Sequence, residues 1–200
     1  MTATQDDRAL APTPAARVPP IGKLLVGVGL AWGVYQLVLF GVRLWVDHRI
    51  ERSEGTQVVD FAVADLDGRM WRTADLRGRA IVLHFFRSHC EVCLAERPAI
   101  EALESRVDPQ QVQLLGVLLD RVEGYPQATT ERTLAALAYR HPILVADAAF
   151  VDAFHGAGWA HVTPVTYVID ATGRIARSLR GRQSIDALTA ALPAGSSKPR

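Results

Sequence analysis

Apolar residues fall along this chain in two regimes. The first is one unbroken run, residues 24–42 (LLVGVGLAWGVYQLVLFGV), in which Gln36 is the only strongly polar side chain. A helix rises 1.5 Å per residue, so about 20 such residues cross the hydrocarbon core of a bilayer. Trp45, just past the run, suits the aromatic belt at a membrane interface. A secretion signal has a shorter apolar core, roughly 7–15 residues, and the exit RLWVDHRIER offers no small-residue cleavage site. A buried core helix of a soluble domain is shorter too, about 10–14 residues. The pattern therefore predicts one uncleaved membrane anchor over residues 21–46. Arg8, Arg17 and Lys23 precede the run and Arg43, Arg49 and Arg52 follow it, so the positive-inside rule gives no orientation.

The second regime alternates short strand patterns with helical ones. Residues 61–64, the Asp67-Gly68 turn and Met70-Trp71 read as a hairpin. Residues 80–86 (AIVLHFF) and 112–119 (VQLLGVLL) are continuous apolar runs suited to strands buried on both faces. Helical periods occupy residues 91–107 and 130–139, the latter with Thr130 as its expected cap. A short edge strand is expected at 143–145 and one or two helical turns at 148–155. A second hairpin joins 165–169 to 175–179 through Ala171-Thr-Gly-Arg, and Ser184 caps a last helix to residue 192. Strands alternating with helices, closed by a hairpin and a helix, predict an α/β domain with a mixed sheet. The expected organisation is a tail at 1–20, the anchor at 21–46, a linker at 47–57, the domain at 58–193 and a tail at 194–200. The first tail is expected to be flexible, because four prolines sit among Ala, Thr and Asp with no apolar period.

Composition narrows the function. Of 200 residues 49% are hydrophobic and 22% charged, enough for a packed core. Lys plus Arg total 22 against 21 Asp plus Glu, a balance that argues against a nucleic-acid partner. Two cysteines are too few for a disulfide scaffold or a four-cysteine zinc site.

Those two cysteines carry the chemistry. Cys90-Glu91-Val92-Cys93 stands where the strand at 80–86 hands over to a helix, and random placement would space two cysteines this way in about 1% of cases. At a helix N-terminus the free N–H groups and the macrodipole favour the thiolate of Cys90. Cys93 lies one turn along, close enough to form a disulfide with it. The pair reads as a reversible dithiol, Cys90 attacking a substrate disulfide and Cys93 resolving the mixed intermediate. Two ordinary buried cysteines, or half of a metal site, remain as alternatives.

The segment FFRSHCEVCLAERP resembles the active-site region of membrane-anchored thioredoxin-fold oxidoreductases of the TlpA/ResA/CcmG type, which read W-C-x-x-C-x-x-E-x-P after a strand. The likeness covers Cys90, Glu91, Cys93, Glu96 and Pro98, the upstream Asp65-Leu-Asp-Gly-Arg and Asp75-Leu-Arg-Gly-Arg, and downstream Val162-Thr163-Pro164 and Ile169-Asp170-x-x-Gly173. The resemblance implies a thioredoxin-like fold with an N-terminal hairpin extension, preceded by one transmembrane helix. It gives Glu96 a proton-transfer role beside the sulfurs, the alternative being a solvated helix glutamate. It makes Thr163-Pro164 a cis bond that holds a loop beside Cys90 and offers the Thr163 backbone to substrate. The redox group is then the cysteine pair itself, with no diffusible cofactor and no metal. The implied clients are thiols and disulfides of exported proteins, as in cytochrome c maturation. The implied electron donor is a membrane protein of the DsbD/CcdA type. The implied location is the inner (cytoplasmic) membrane, with the catalytic domain facing the periplasm or exterior.

The chain departs from the pattern at His89, where the family has Trp, and at Val92, where it often has Pro. An imidazolium at His89 would favour the Cys90 thiolate and the Glu91 carboxylate would oppose it, so the three modulating positions His89, Glu91 and Val92 leave the redox poise unsigned. His89 and His161 with the two cysteines also form a donor set for Cu(I) or zinc, so a copper-binding or copper-delivery module is a second reading. A third, a thiol peroxidase, fits less well because Phe85-Phe86-Arg87-Ser88 precede Cys90. His84 and His155 are expected to be packing residues.

Overall fold

The computed structural model describes residues 21–155 and 162–196, so the expected tail at 1–20 and His161 lie outside the described residues. Contacts divide the chain between Arg43 and Leu44 into two units. Helix α1 spans Ile21–Glu51. Within the first unit most of its apolar side chains are exposed, Leu24, Leu30, Trp32, Tyr35, Leu37 and Phe40 among them. Across its most apolar stretch the helix has a mean hydropathy of 1.9 with nothing buried, which makes it long and apolar enough to cross a membrane. It is compatible with a single-pass anchor.

The second unit is built on a five-stranded sheet in the order β5-β4-β3-β6-β7. The strands are β3 (Ala80–Phe86), β4 (Val112–Leu118), β5 (Ile143–Val145), β6 (Val165–Ile169) and β7 (Ile175–Arg180). β3 pairs parallel with β4 and antiparallel with β6. All seven residues of β3 are buried, as its unbroken apolar run requires for a central strand covered on both faces. Alternation sends Val82, His84 and Phe86 to one face and Leu83 and Phe85 to the other. On the first face Val82 packs with Ile100 and Leu103 of α2 (Glu91–Arg106) and Leu188 of α6 (Ile185–Ala191). On the second, Phe85 meets Phe150 and Phe154 of α5 (Ala148–His155) and Tyr167 of β6, ring centroids 5.4–6.0 Å apart. Each fully buried side chain of this size contributes about 1.5–3 kcal/mol, so these layers hold the sheet rigid under the site.

The N-terminal hairpin, β1 (Ala62–Ala64) and β2 (Met70–Arg72), covers the β5 edge. Leu66 N–H donates to the Ile143 carbonyl, and Asp65 bridges to Leu144. One carboxylate oxygen of Asp65 takes the N–H groups of Asp67 and Arg69, and the other takes the Trp71 indole at 2.7 Å. Pairing this edge removes a template for intermolecular strand addition.

Three boundaries differ from the sequence reading. Helix α1 does not end at 46 but runs to Glu51, with Val46 and Ile50 buried. Residues 47–57, expected as a linker, pack on the domain: Gly55 N–H donates to the Ile175 carbonyl, Ile175 N–H to the Thr56 carbonyl, and Glu54 accepts from Ser178. Helix α4 is Gln127–Leu137, beginning after Pro126 rather than at Thr130. The Thr130 hydroxyl is instead spent on Asp120, at 2.5 Å, and Ala138 ends the helix in the left-handed region (φ 49°). The short helix α3 (Asp120–Glu123) had no sequence signal. Ser184 does cap α6, accepting the Ala187 N–H.

Candidate active site

Strand β3 ends at Phe86, and four residues later Cys90 is the N-cap of α2, its Sγ accepting the Cys93 N–H at 3.1 Å. The two cysteines form a disulfide. Cys93 is 1% exposed and Cys90 9%, so Cys90 is the sulfur an incoming thiol can reach. Both pack against Phe86, Leu118 and Leu137.

The turn carrying Cys90 is fixed by a network that the sequence did not reveal. The N–H and hydroxyl of Ser88 donate to the two oxygens of buried Asp120, at 2.7 and 2.5 Å. Thr130 donates to the same carboxylate, and Thr133 shares a 2.7 Å hydrogen bond with Ser88. Asp120 stands two residues past the buried strand β4, an unusual place for a buried charge, and that position is the one clue in the sequence. His89 takes a left-handed backbone conformation (φ 55°), which histidine adopts more readily than most residues. Its exposed ring lies 5.4 Å from that of Tyr125. Glu91 and Val92 are exposed on the first turn of α2.

Across from the disulfide, the Thr163–Pro164 bond is cis, the form the resemblance implies. The Thr163 hydroxyl donates toward Cys90 Sγ at 3.7 Å. Thr163, Pro164, Val92, Arg180 and Asp47 line a groove of about 300 Å³. A second groove of about 460 Å³ lies beside the cysteines, bordered by Arg87, His89, Leu94 and Arg132. A larger cavity of about 530 Å³, lined by Glu104, Arg140 and His141, contains neither cysteine and is not where thiol chemistry occurs.

Glu96 is not a solvated helix glutamate: it is fully buried, one turn past Cys93 on α2. Its Oε1 accepts the Gln183 N–H at 2.9 Å. Its Oε2 has no hydrogen-bond partner among the described residues. Burial raises its pKa to about 7, only partly offset by the Gln183 N–H and the Arg182 charge. A carboxyl with that value changes protonation near neutral pH, as thiol exchange requires of a proton carrier. Nε2 of His84 stands 4.0 Å from Oε2. His84 packs against the rings of Phe86 and Tyr139, as a packing residue would, but it also bonds Thr166 through Nδ1. Among the described residues no group of three or more His, Cys, Asp or Glu is arranged for a metal ion. The donor set of the copper reading includes His161, outside the described residues.

This geometry has known counterparts. The thiol-disulfide oxidoreductase ResA of Geobacillus thermodenitrificans is 28% identical over 148 residues, 72% of this chain and 81% of its own length. The ResA protein of Bacillus subtilis is 23% identical over 162 residues, covering 80% and 82%. Among solved structures, StoA from Bacillus subtilis aligns with a TM-score of 0.55 at 20% identity, over 67% of this chain and 96% of its own, a likeness of fold. A thiol:disulfide interchange protein DsbE from Chlorobium tepidum aligns at 0.55 and 19%, covering 69% and 96%. Residues 55–178, more than half of the chain, match the AhpC/TSA family. The chain belongs to that thioredoxin-like family, and its relatives there are thiol-disulfide oxidoreductases of the ResA type.

Proposed function

We propose that this protein is a membrane-tethered, extracytoplasmic protein-disulfide reductase acting through the Cys90–Cys93 dithiol. The observation that carries the reading is the reachable Cys90 sulfur at the N-cap of α2, faced by the cis Thr163–Pro164 loop. The helix terminus stabilises a thiolate, and a groove beside the loop accepts an extended substrate segment.

In the reducing direction the Cys90 thiolate attacks a client disulfide, forming a mixed disulfide and releasing one client thiolate, which takes up a proton. Cys93 gives its proton to the Glu96 carboxylate and attacks Cys90 Sγ. The second client thiol departs, and the enzyme is left as the disulfide. Two electrons pass from enzyme to client. The redox group is the cysteine pair, with no diffusible cofactor. Regeneration requires a two-electron donor, for which a membrane protein of the DsbD/CcdA type is the partner we propose. Placing enzyme and donor in one membrane confines their encounter to two dimensions, which gives the apolar helix a purpose. The clients we propose are exported proteins with oxidised cysteines, apocytochromes c among them, and the membrane is the inner one with the domain outside the cytoplasm.

Cys93→Ser in the full chain is expected to trap mixed disulfides through Cys90, seen as adducts that dithiothreitol releases. Absence of any adduct under oxidising conditions overturns the nucleophile assignment. The wild-type couple, equilibrated against dithiothreitol, is expected near or below about −270 mV. A value near about −120 mV would reverse the direction to disulfide donation.

A further inference from the structure

His84 and Glu96 present two buried polar atoms to each other. His84 lies inside β3, on the face toward α2, and is fully buried, as is Glu96. Neither His84 Nε2 nor Glu96 Oε2 has a hydrogen-bond partner among the described residues, and they stand 4.0 Å apart. Buried polar atoms without partners are costly, and few are tolerated in a folded protein. The other ring nitrogen, Nδ1, is 3.0 Å from the hydroxyl of Thr166, 82 residues away on β6. Thr166 is two residues past the cis-proline.

The contact is not an ion pair at neutral pH. Burial, and then the nearby His141, depress the His84 pKa to about 3, so its ring is neutral. A neutral imidazole has one N–H and one lone pair, and the two nitrogens can exchange these roles. The 4.0 Å gap is longer than a hydrogen bond and must close by about 1 Å for the two atoms to pair. With it closed, a protonated Glu96 would donate its O–H to Nε2 while Nδ1–H donates to the Thr166 oxygen, and an ionised Glu96 would accept Nε2–H while Nδ1 accepts the Thr166 O–H. The ring keeps one N–H in both states, and the single proton lost between them is the carboxyl's. A lysine or arginine would serve only the carboxylate, and a leucine neither form.

We propose that His84 is a positioning residue for the Glu96 carboxyl, a neutral imidazole whose tautomer follows the Glu96 proton and relays its state to the Thr166 hydroxyl behind the cis-proline. The use of that proton in thiol exchange rests on the function proposed above; the tautomer coupling does not. The other titratable and charged groups around the pair are Arg97, Glu101 and Glu104 on α2, Arg182 before α6, and Tyr139 and His141 on the α4–β5 connection. Tyr139 stays a neutral phenol, because burial and then the Glu96 and Glu104 charges push its pKa up.

The test is ¹⁵N NMR of the histidine-labelled full chain, oxidised, in detergent micelles, between pH 5 and 9. His84→Asn identifies the resonances. His84 is expected to pass from the Nδ1–H to the Nε2–H tautomer, with the same midpoint as the Glu96 carboxyl read by ¹³C and with no imidazolium. Glu96→Gln is expected to lock one tautomer. A single tautomer in wild type across the Glu96 titration, or an imidazolium signal, overturns the proposal. His84→Leu is expected to raise the Glu96 midpoint by about one unit, since N–H bonds to a carboxylate are about twice as strong as those to the neutral acid. An unmoved midpoint in a folded His84→Leu protein overturns it too. A tautomer switch alongside a failed Cys93→Ser trap would sink the reductase reading and leave this one standing; the opposite pair of results would do the reverse.

Discussion

Helix α2 carries two carboxyl groups eight residues apart, Glu96 buried and Glu104 half-buried, each facing a histidine, and they ionise in opposite ways. Glu104 accepts the Arg140 N–H at 3.1 Å, Arg140 Nε at 3.3 Å, the His141 N–H at 3.2 Å and a short bond from His141 Nδ1. Burial alone would raise its pKa, but the His141 side chain and these backbone donors bring it down to about 2. Glu96 has a single N–H, and its histidine is neutral and 4.0 Å away, so burial dominates and the value rises to about 7. Burial raises a carboxyl pKa; the number of donors aimed at it decides whether that rise survives. The well-satisfied carboxylate ties α2 to the α4–β5 connection, while the under-satisfied one, a turn from the disulfide, keeps a proton available.

The largest effect that could break this contrast is expected for Glu104→Ala. It leaves the donors of Arg140 and His141 without their acceptor, and a loss of about 3 kcal/mol is expected by chemical denaturation of the full chain in detergent. A loss under about 0.5 kcal/mol would show that the cluster is not structural. Because the folded pKa of Glu104 lies below its ordinary 4.5, its contribution is present above pH 4.5 and disappears as the pH falls toward 2. Glu96→Gln should do the converse. The folded pKa is raised, so the stability linked to the protonated Glu96 is complete below pH 4.5 and is lost as pH rises through about 7. The glutamine variant should flatten that slope, and should slow dithiol exchange at pH 7 by about 100-fold, the lower end of acid–base effects. An unaltered pH–rate profile would remove Glu96 from the chemistry. The smallest effect is expected at exposed Arg182, whose charge lowers the Glu96 pKa. Arg182→Gln should raise the Glu96 midpoint by about 0.3 units in low salt, and the difference should shrink toward zero near 1 M salt, where the Debye length is about 3 Å. A difference that persists in high salt would mean that Arg182 acts through loop geometry instead.

Legibility followed the range of the interactions. β3 lies where its continuous apolar run placed it, β5 where a short edge strand was expected, and α6 begins at its Ser184 cap, because period and capping are local properties. Thr130 misled for the same reason: a threonine before a helical period looks like a cap until Asp120, ten residues earlier, takes its hydroxyl. Residues 47–57 looked like a linker because their partners, Ile175 and Ser178, are more than a hundred residues away.

The amino-acid sequence by itself determined the apolar helix, the α/β order, the cysteine pair at a strand-to-helix junction and the proline after Thr163. Each is encoded by neighbours within a turn or a strand length. Only the tertiary structure decided that Glu96 is buried with one donor, that Glu104 has several, that Asp120 holds the Ser88 turn, and that His84 faces one carboxyl and one hydroxyl. Solvent exclusion and donor count are set by segments that meet only when the sheet and helices pack, and those two quantities fix where a proton resides.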